Sequence, residues 1–195
     1  RFYDPKCGQI TLDGKNLKDY NLASLRSAIA VVSQDVYLFH GTVKDNVRFA
    51  RPEATDAEIE EACRQACADD FIANLPKGYD TIVGERGQKL SGGQKRLSIA
   101  RALIANSPIV ILDEATSAVD NVTEARLQRQ LEEILREKTT IVIAHRLSTV
   151  IHCDRIVVME HGSVSEVGSH QELIQARGLY YDLWNVQTGA PEFLD

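Results

Sequence analysis

The residues with the clearest chemical potential lie in one short stretch, Leu90-Ser91-Gly92-Gly93-Gln94. Ser91 is a typical helix N-cap, and Gln94 three positions later completes the spacing of a capping box. Gly92 and Gly93 leave the unpaired amides of the first helical turn without covering side chains. Such a helix start binds anions, phosphate above all, although the same pattern also occurs in a helix that is merely well capped.

Three apolar segments that are typical of strands each end in a polar side chain. They are Ile29–Ser33 followed by Gln34, Ile109–Leu112 followed by Asp113 and Glu114, and Thr140–Ala144 followed by His145. Continuous apolar runs are typical of strands that are buried on both faces of a parallel sheet. Because such sheets bind ligands beyond the carboxyl ends of their strands, these polar side chains are expected to meet in one crevice.

Each of these side chains suits the chemistry of a bound nucleotide. An Asp after an apolar strand, such as Asp113, can hold a nucleotide's magnesium, and the adjacent Glu114 can orient or deprotonate a water. His145 can stabilise charge on a terminal phosphate, and Gln34 can offer its carbonyl oxygen to the metal. Taken singly, each has an ordinary structural explanation, as a helix cap or a hydrogen-bonded core residue. Their order along the chain, together with the glycine pair, favours nucleotide hydrolysis.

Strands and helices alternate in both outer thirds of the chain, whereas the stretch from about Asp35 to Gln88 is predicted to be helical and loop-like. The predicted helices are Leu22–Arg26, Thr42–Phe49, one from Thr55 to about Ala68, Gly92–Ala105, Val122–Lys138, Gln171–Gln175 and Leu179–Val186. A hairpin is predicted at Ile156–Glu160 and Ser163–Val167. The expected fold is α/β, with a mainly parallel sheet and an inserted α-helical subdomain.

The bulk composition argues against several classes of protein. The 195 residues carry a net charge of −6, whereas a nucleic-acid-binding face is expected to be basic. The apolar runs are too short to span a bilayer. The four cysteines lack zinc-site spacing. Cys63 and Cys67 share an apolar helical stripe, which favours small buried side chains over a metal or redox pair.

Together these stretches resemble the motifs of the ATP-binding cassette (ABC) ATPases, which have a P-loop NTPase core. The matches are Leu90–Gln94 with the signature motif, Ile109–Glu114 with the Walker B strand, the continuation to Asp120 with the D-loop, Gln34 with the Q-loop and His145 with the switch histidine. Val83–Gly87 resembles the cross-talk segment of ABC exporters, in which transmembrane helices and the nucleotide-binding domain share one polypeptide.

The resemblance implies a dimer in which two such domains close head to tail around two ATP molecules. In that arrangement Ser91, Gly92, Gly93 and Gln94 are nucleotide-binding residues, and they act on ATP that is held by the other domain. Asp120 couples the two sites across the interface. The partner is expected to be a second nucleotide-binding domain, either identical or different.

The resemblance also implies the roles of the residues at the strand ends. Asp113 and Gln34 bind Mg²⁺, partly through water, beside the bound ATP. Glu114 polarises the attacking water, and His145 contacts the γ-phosphate. Both are therefore the expected catalytic residues.

The resemblance implies a place at the cytoplasmic face of a membrane, as part of an integral transporter. Gln34 and the following Tyr37-Leu38-Phe39 are expected to link the nucleotide state to a transmembrane domain of the same polypeptide, which lies outside these residues. No nucleic-acid partner is expected. The resemblance implies that the transmembrane helices choose the transported substrate.

The family's phosphate loop and adenine-stacking aromatic residue are expected to precede this sequence. Gly8 and Gly14-Lys15 are rejected as a phosphate loop, because five residues separate the glycines and Asn16 stands where Ser or Thr is needed. We therefore expect residues 1–187 to be a partial ABC ATPase domain. Its α/β core is 1–34 and 96–187, its helical subdomain is 35–95, and 188–195 is a loose tail. Alone, this part is expected to be inactive.

Two alternatives remain open. One is a soluble ABC-type ATPase of chromosome or repair machinery, although those proteins carry long coiled coils between their two halves. The other is a regulator that closes on a nucleotide without hydrolysing it. Glu114 and His145 argue against this alternative, because they are the residue types that the family uses for catalysis.

Overall fold

The structure is a computed structural model that describes residues 3–84, 92–115 and 121–189, with the side chain of Asn121 left aside. It divides the chain into two compact units, Arg1–Ile143 and Ala144–Asp195. The predicted boundaries of the helical subdomain stay predictions.

The first unit alternates strands and helices at its two ends and is mainly helical between them. Its described strands are β1 (Thr11–Leu12), β2 (Lys15–Asn16), β3 (Ile29–Val32), β4 (Gly41–Thr42), β5 (Ile82–Val83), β6 (Ile109–Asp113) and β7 (Thr139–Ile143). Its described helices are α1 (Leu22–Ser27), α2 (Val43–Arg48), α3 (Asp56–Gln65), α4 (Asp69–Ala73), α5 (Gly93–Ile104) and α6 (Asn121–Leu135).

A three-stranded parallel sheet, in the order β3-β6-β7, positions the strand ends that carry the candidate site. Ala30, Val32, Val110 and Leu112 on one face belong to the buried core. On the other face Val31, Ile141 and Ile143 are exposed by 53%, 50% and 50%, and Ile29, Ile109 and Ile111 are half-buried. The predicted parallel sheet is confirmed, but burial on both faces is not observed, because the core of the described residues covers one face.

Two of the helices between β3 and β6 begin directly after a threonine: α3 has the predicted cap, and α2 begins one residue later than the predicted start at Thr42. Thr42 caps α2 and Thr55 caps α3, each in a capping box whose second member, Asp45 or Glu58, accepts a hydrogen bond from the cap residue's amide. α3 ends at Gln65, earlier than predicted, since Cys67 takes a left-handed φ of +52° that a helix cannot continue through.

The two cysteines of this helical region are buried, as the sequence predicts for small apolar side chains. Burial raises the pKa of the Cys63 thiol to about 12, so the thiol stays protonated at neutral pH. The Cys67 Sγ donates to the side-chain oxygen of Gln130 in α6 at 2.8 Å, which ties the helical region to the following helix.

The second unit is a hairpin followed by two helices. Strands β8 (Ile156–Glu160) and β9 (Ser163–Gly168) pair antiparallel, and α7 (His170–Ala176) and α8 (Leu179–Thr188) follow. The carboxylate of Glu166 accepts hydrogen bonds from the amides of Leu179 and Tyr180, at 2.6 and 3.2 Å. A carboxylate from β9 thus caps the start of α8, where unpaired amides favour negative charge. The predicted tail lies outside the described residues from position 190 onward.

No helix in the described ranges combines the length and the apolar composition needed to cross a lipid bilayer.

Candidate functional site

The parallel register brings the predicted residues of β3 and β6 to the same edge of the sheet. Val32, the last residue of β3, pairs with Leu112, so Gln34 and Asp113 lie just beyond that pair. Asp113 pairs with Ile143 at the end of β7, and its side chain therefore shares a face with Ile143. Gln34 is exposed, and Asp113 is half-buried.

Glu114 directly follows β6 in an unusual backbone conformation. Its φ is +46°, in the left-handed region that a residue with a long side chain rarely adopts. Its amide donates to the carbonyl of Ile143 at 3.0 Å, which holds the turn against the end of β7. A left-handed residue costs about 1–2 kcal/mol, and such strain is found most often at functional sites.

The helix that carries the glycine pair begins one residue later than the sequence predicts. Gly92 is its N-cap residue, with a left-handed φ of +69°, and no side chain of the described residues caps it. The prediction that Ser91 is the N-cap of a helix beginning at Gly92 is therefore wrong, because the left-handed turn delays helical geometry until Gly93. Gly93 is buried and Gln94 is half-buried.

Some predicted site residues cannot be compared with the structure. Ser91 and Asp120, like Leu90 and the predicted cross-talk residues 85–87, lie outside the described residues. His145 belongs to the second unit, two residues beyond the end of β7. There its carbonyl accepts a hydrogen bond from Gln187 Nε2 at 2.7 Å. The described first unit thus brings together Gln34, Asp113 and Glu114. The beginning of α5 also contacts Gln34, through a side chain that the sequence analysis did not identify as a site residue.

That residue is Lys95, in the first turn of α5. Its Nζ donates to the carbonyl oxygens of Gln34 at 2.5 Å and Ser33 at 3.3 Å, and only 7% of the residue is exposed. Burial lowers the pKa of Lys95, while the carboxylates of Glu114 and Asp113 act in the opposite direction. No local pattern in the sequence marks Lys95 as buried, because charged side chains are seldom buried and α5 is buried at most of its positions.

A second network, missed by the sequence reasoning, holds the segment after Gln34. The Arg101 guanidinium donates to the carbonyl of Tyr37 at 3.1 Å and to the side-chain and main-chain oxygens of Asn46 at 3.0 and 2.9 Å. It also lies over the ring of Phe39, 5.7 Å from the centroid. Arg101 lines a cavity of about 440 Å³ whose walls include the exposed side chains of Tyr37 and Phe49.

The residues at the sheet edge fit a magnesium ion that is shared with a ligand. The carboxylate of Asp113 and the amide oxygen of Gln34 are the hard oxygen donors that Mg²⁺ prefers. No group of three or more His, Cys, Asp or Glu side chains in the described ranges could hold a metal by itself. A site with so few protein ligands suits an ion that keeps several waters and binds phosphate oxygens.

Comparison with known proteins agrees with this geometry. Residues 1–117 match the family described as ABC transporter. The chain is 55% identical over 188 residues to a putative multidrug export ATP-binding/permease protein of Staphylococcus aureus strain COL, covering 96% of this chain and 32% of that protein. A counterpart from a bovine strain of the same species is 54% identical over the same length and the same shares of the two proteins.

A solved structure supports the same assignment at the level of the fold. The structure of a bacterial Atm1-family ABC exporter with ATP bound superimposes with a TM-score of 0.92 and 45% sequence identity, over 100% of this chain and 34% of that one. The chain thus spans about a third of the length of the relatives it matches. It has the ABC ATPase fold and belongs to the ABC transporter family.

Proposed function

We propose that the chain is the ATP-binding and ATP-hydrolysing part of an ABC exporter, which couples nucleotide-driven closure to transport across a membrane. The observation that carries this proposal is the sheet edge. Two adjacent parallel strands deliver Gln34 and Asp113 to one place, and a strained turn puts Glu114 directly after them. The named function of the relatives, ATP-binding and export, supports the same conclusion.

In the proposed mechanism Asp113 and Gln34 would hold Mg²⁺, which would supply positive charge beside the phosphates. A water attacks the γ-phosphate, and ADP is the leaving group. Glu114 orients that water and accepts its proton. The left-handed turn and the hydrogen bond to Ile143 fix the main chain of Glu114, and so the point from which its side chain extends. His145 is proposed to contact the γ-phosphate and to stabilise the charge that develops there.

The signature residues are proposed to act on a second nucleotide-binding domain, identical or different. Gly92 and Gly93 begin α5 without a side-chain cap among the described residues, and amides at a helix start bind phosphate oxygens. Ser91 and Gln94 add polar groups to this binding face, and Asp120 is proposed to couple the two sites. The chain is proposed to lie at the cytoplasmic face of the membrane, with its transmembrane domain on the same polypeptide.

The test uses the full-length protein reconstituted in lipid vesicles. Glu114→Gln is expected to lower the rate of ATP hydrolysis at least about a hundredfold, the range for loss of one positioned acid–base group, while ATP binding is retained. Glu133→Gln, on the exposed surface of α6, is the matched control and should leave the rate unchanged.

Hydrolysis by the Glu114→Gln variant at the unmodified rate would contradict the proposed catalytic role. ATP binding without hydrolysis by the unmodified protein would instead favour the alternative of a non-hydrolysing regulator. Retention of substrate transport in vesicles without ATP would contradict the coupling of transport to the nucleotide.

A further inference from the structure

We propose that Lys95 is a positioning residue that holds the main chain of Ser33 and Gln34, so that the Gln34 side chain is presented to the metal and phosphates of the site. This inference rests on the proposed function and adds a residue to it. The start of α5 would then support Gln34 of its own domain, in addition to its proposed contact with the ATP held by a second domain.

The geometry carries the first step. The Lys95 ammonium donates to two consecutive carbonyl oxygens, those of Ser33 and Gln34, across a sequence separation of about sixty residues. These carbonyls lie immediately after β3, where the ladder to β6 has ended at Val32. The ladder no longer fixes the main chain there, and the bonds from Lys95 supply a constraint.

Burial makes this constraint specific. A lysine that is only 7% exposed loses most of its hydration, and its hydrogen bonds must replace the lost water. Within the described part of the chain those bonds go to main-chain carbonyls rather than to the neighbouring carboxylates of Asp113 and Glu114. Lys95 therefore supports Gln34 without occupying the carboxylates that are proposed to act on the metal and the water.

The position of Lys95 on α5 gives the second step. Gly92 and Gly93 directly precede Gln94 and Lys95 at the start of this helix. The side chain of Lys95 therefore connects the helix start that carries the glycine pair to the main chain of Gln34. A shift of the helix start therefore moves the carbonyls of Ser33 and Gln34 with it. Removal of the ammonium leaves those carbonyls without this donor and allows Gln34 to turn away from the site.

A double-mutant cycle in the full-length protein tests the inference. The variants are Lys95→Met, Gln34→Ala and their combination, and the measurement is the affinity for a non-hydrolysable ATP analogue with Mg²⁺ and again with EDTA. Lys95→Met is expected to weaken binding with Mg²⁺ about tenfold, the effect of losing one hydrogen bond to a charged group, and to leave binding in EDTA nearly unchanged. Because Lys95 acts through Gln34, the combined variant should bind no more weakly than Gln34→Ala alone.

Arg96→Met is the matched control. Arg96 neighbours Lys95 on α5, is a partly buried cation and also donates to a main-chain carbonyl, that of Cys67 at 2.8 Å. Among the described residues it makes no hydrogen bond to the segment after β3. It should lower the thermal midpoint without changing the dependence of binding on Mg²⁺. If Lys95→Met does not fold, Lys95→Gln, which keeps a neutral donor, is used in the same cycle.

The outcomes separate this inference from the proposed function. Additive losses in the combined variant, or equal losses with Mg²⁺ and EDTA, would overturn the role of Lys95 and show a purely structural residue. Unchanged Mg²⁺-dependent binding in Gln34→Ala would instead overturn the proposed role of Gln34, and the role of Lys95 with it. A Mg²⁺-dependent loss in Gln34→Ala without one in Lys95→Met would overturn the role of Lys95 alone.

Discussion

The side chain of Asn46 is the centre of a buried network whose removal should destabilise the helical region. Asn46 is fully buried, and its Nδ2 donates to the carbonyls of Phe39 and Thr42, both at 3.0 Å. Its Oδ1 accepts from the Arg101 guanidinium at 3.0 Å. The Asn46→Ala variant removes these three side-chain hydrogen bonds.

The expected cost follows from these contacts. At about 1 kcal/mol for each hydrogen bond, the free energy of unfolding should fall by about 3 kcal/mol. For a domain of this size that corresponds to a thermal midpoint lowered by about 6–12 °C. The measurement is the thermal unfolding of the full-length protein with and without the substitution.

Asn74→Ala provides the matched control for this substitution. Asn74 is exposed, and its side chain makes one hydrogen bond, to the carbonyl of Asp70 at 2.8 Å. Because water can replace that bond, its loss should lower the midpoint by less than about 3 °C. If the two substitutions lower the thermal midpoint equally, the inference that the Asn46 hydrogen bonds stabilise the fold more because they are buried is refuted.

Three further predictions concern strain, thiol reactivity and acid stability. Glu114→Gly should unfold at a higher temperature than Glu114→Ala, by the equivalent of about 1 kcal/mol, because glycine adopts the left-handed conformation without strain; equal midpoints would contradict this. Iodoacetamide should alkylate the exposed Cys7 and spare the buried Cys63, whose pKa is raised to about 12, as measured by mass spectrometry of the folded protein. Hydrogen bonds from Thr55 lower the pKa of Glu58, so the stability they provide is complete above the ordinary pKa and is lost as the pH falls through the lowered value. Thr55→Ala keeps the main-chain amide donor and removes the hydroxyl donor, so it should reduce part of the loss of thermal midpoint on acidification; an unchanged acid dependence would count against the contribution of the hydroxyl.

The strand ends could be predicted from the sequence because their physical cause is local. An apolar run followed by Gln34 or by Asp113 and Glu114 needs only the preference of buried strands for apolar side chains. The register of β3 with β6 then brings the residues together, as the sequence reasoning expected. The strand bounds were less accurate: β6 includes Asp113, and β7 begins and ends one residue before the prediction.

Other features depend on contacts that no local pattern encodes. The capping-box spacing of Ser91 and Gln94 gave no sign that Gly92 would be left-handed, since a glycine pair permits several conformations at similar cost. Lys95 carries a charge, and charged residues are seldom buried, so its contact with the carbonyl of Gln34 becomes visible only when distant segments are brought together. The left-handed backbone of Glu114 likewise depends on the hydrogen bond to the end of β7.

The carboxylate of Glu166 that caps α8 has a consequence for how the chain can vary. A Cβ atom added at Gly178 would lie 2.0 Å from Glu166 Oε1, so any larger residue there would displace the carboxylate from the amides of Leu179 and Tyr180. Homologous chains should keep glycine and the acid together, or lose both and begin the last helix with a cap of their own.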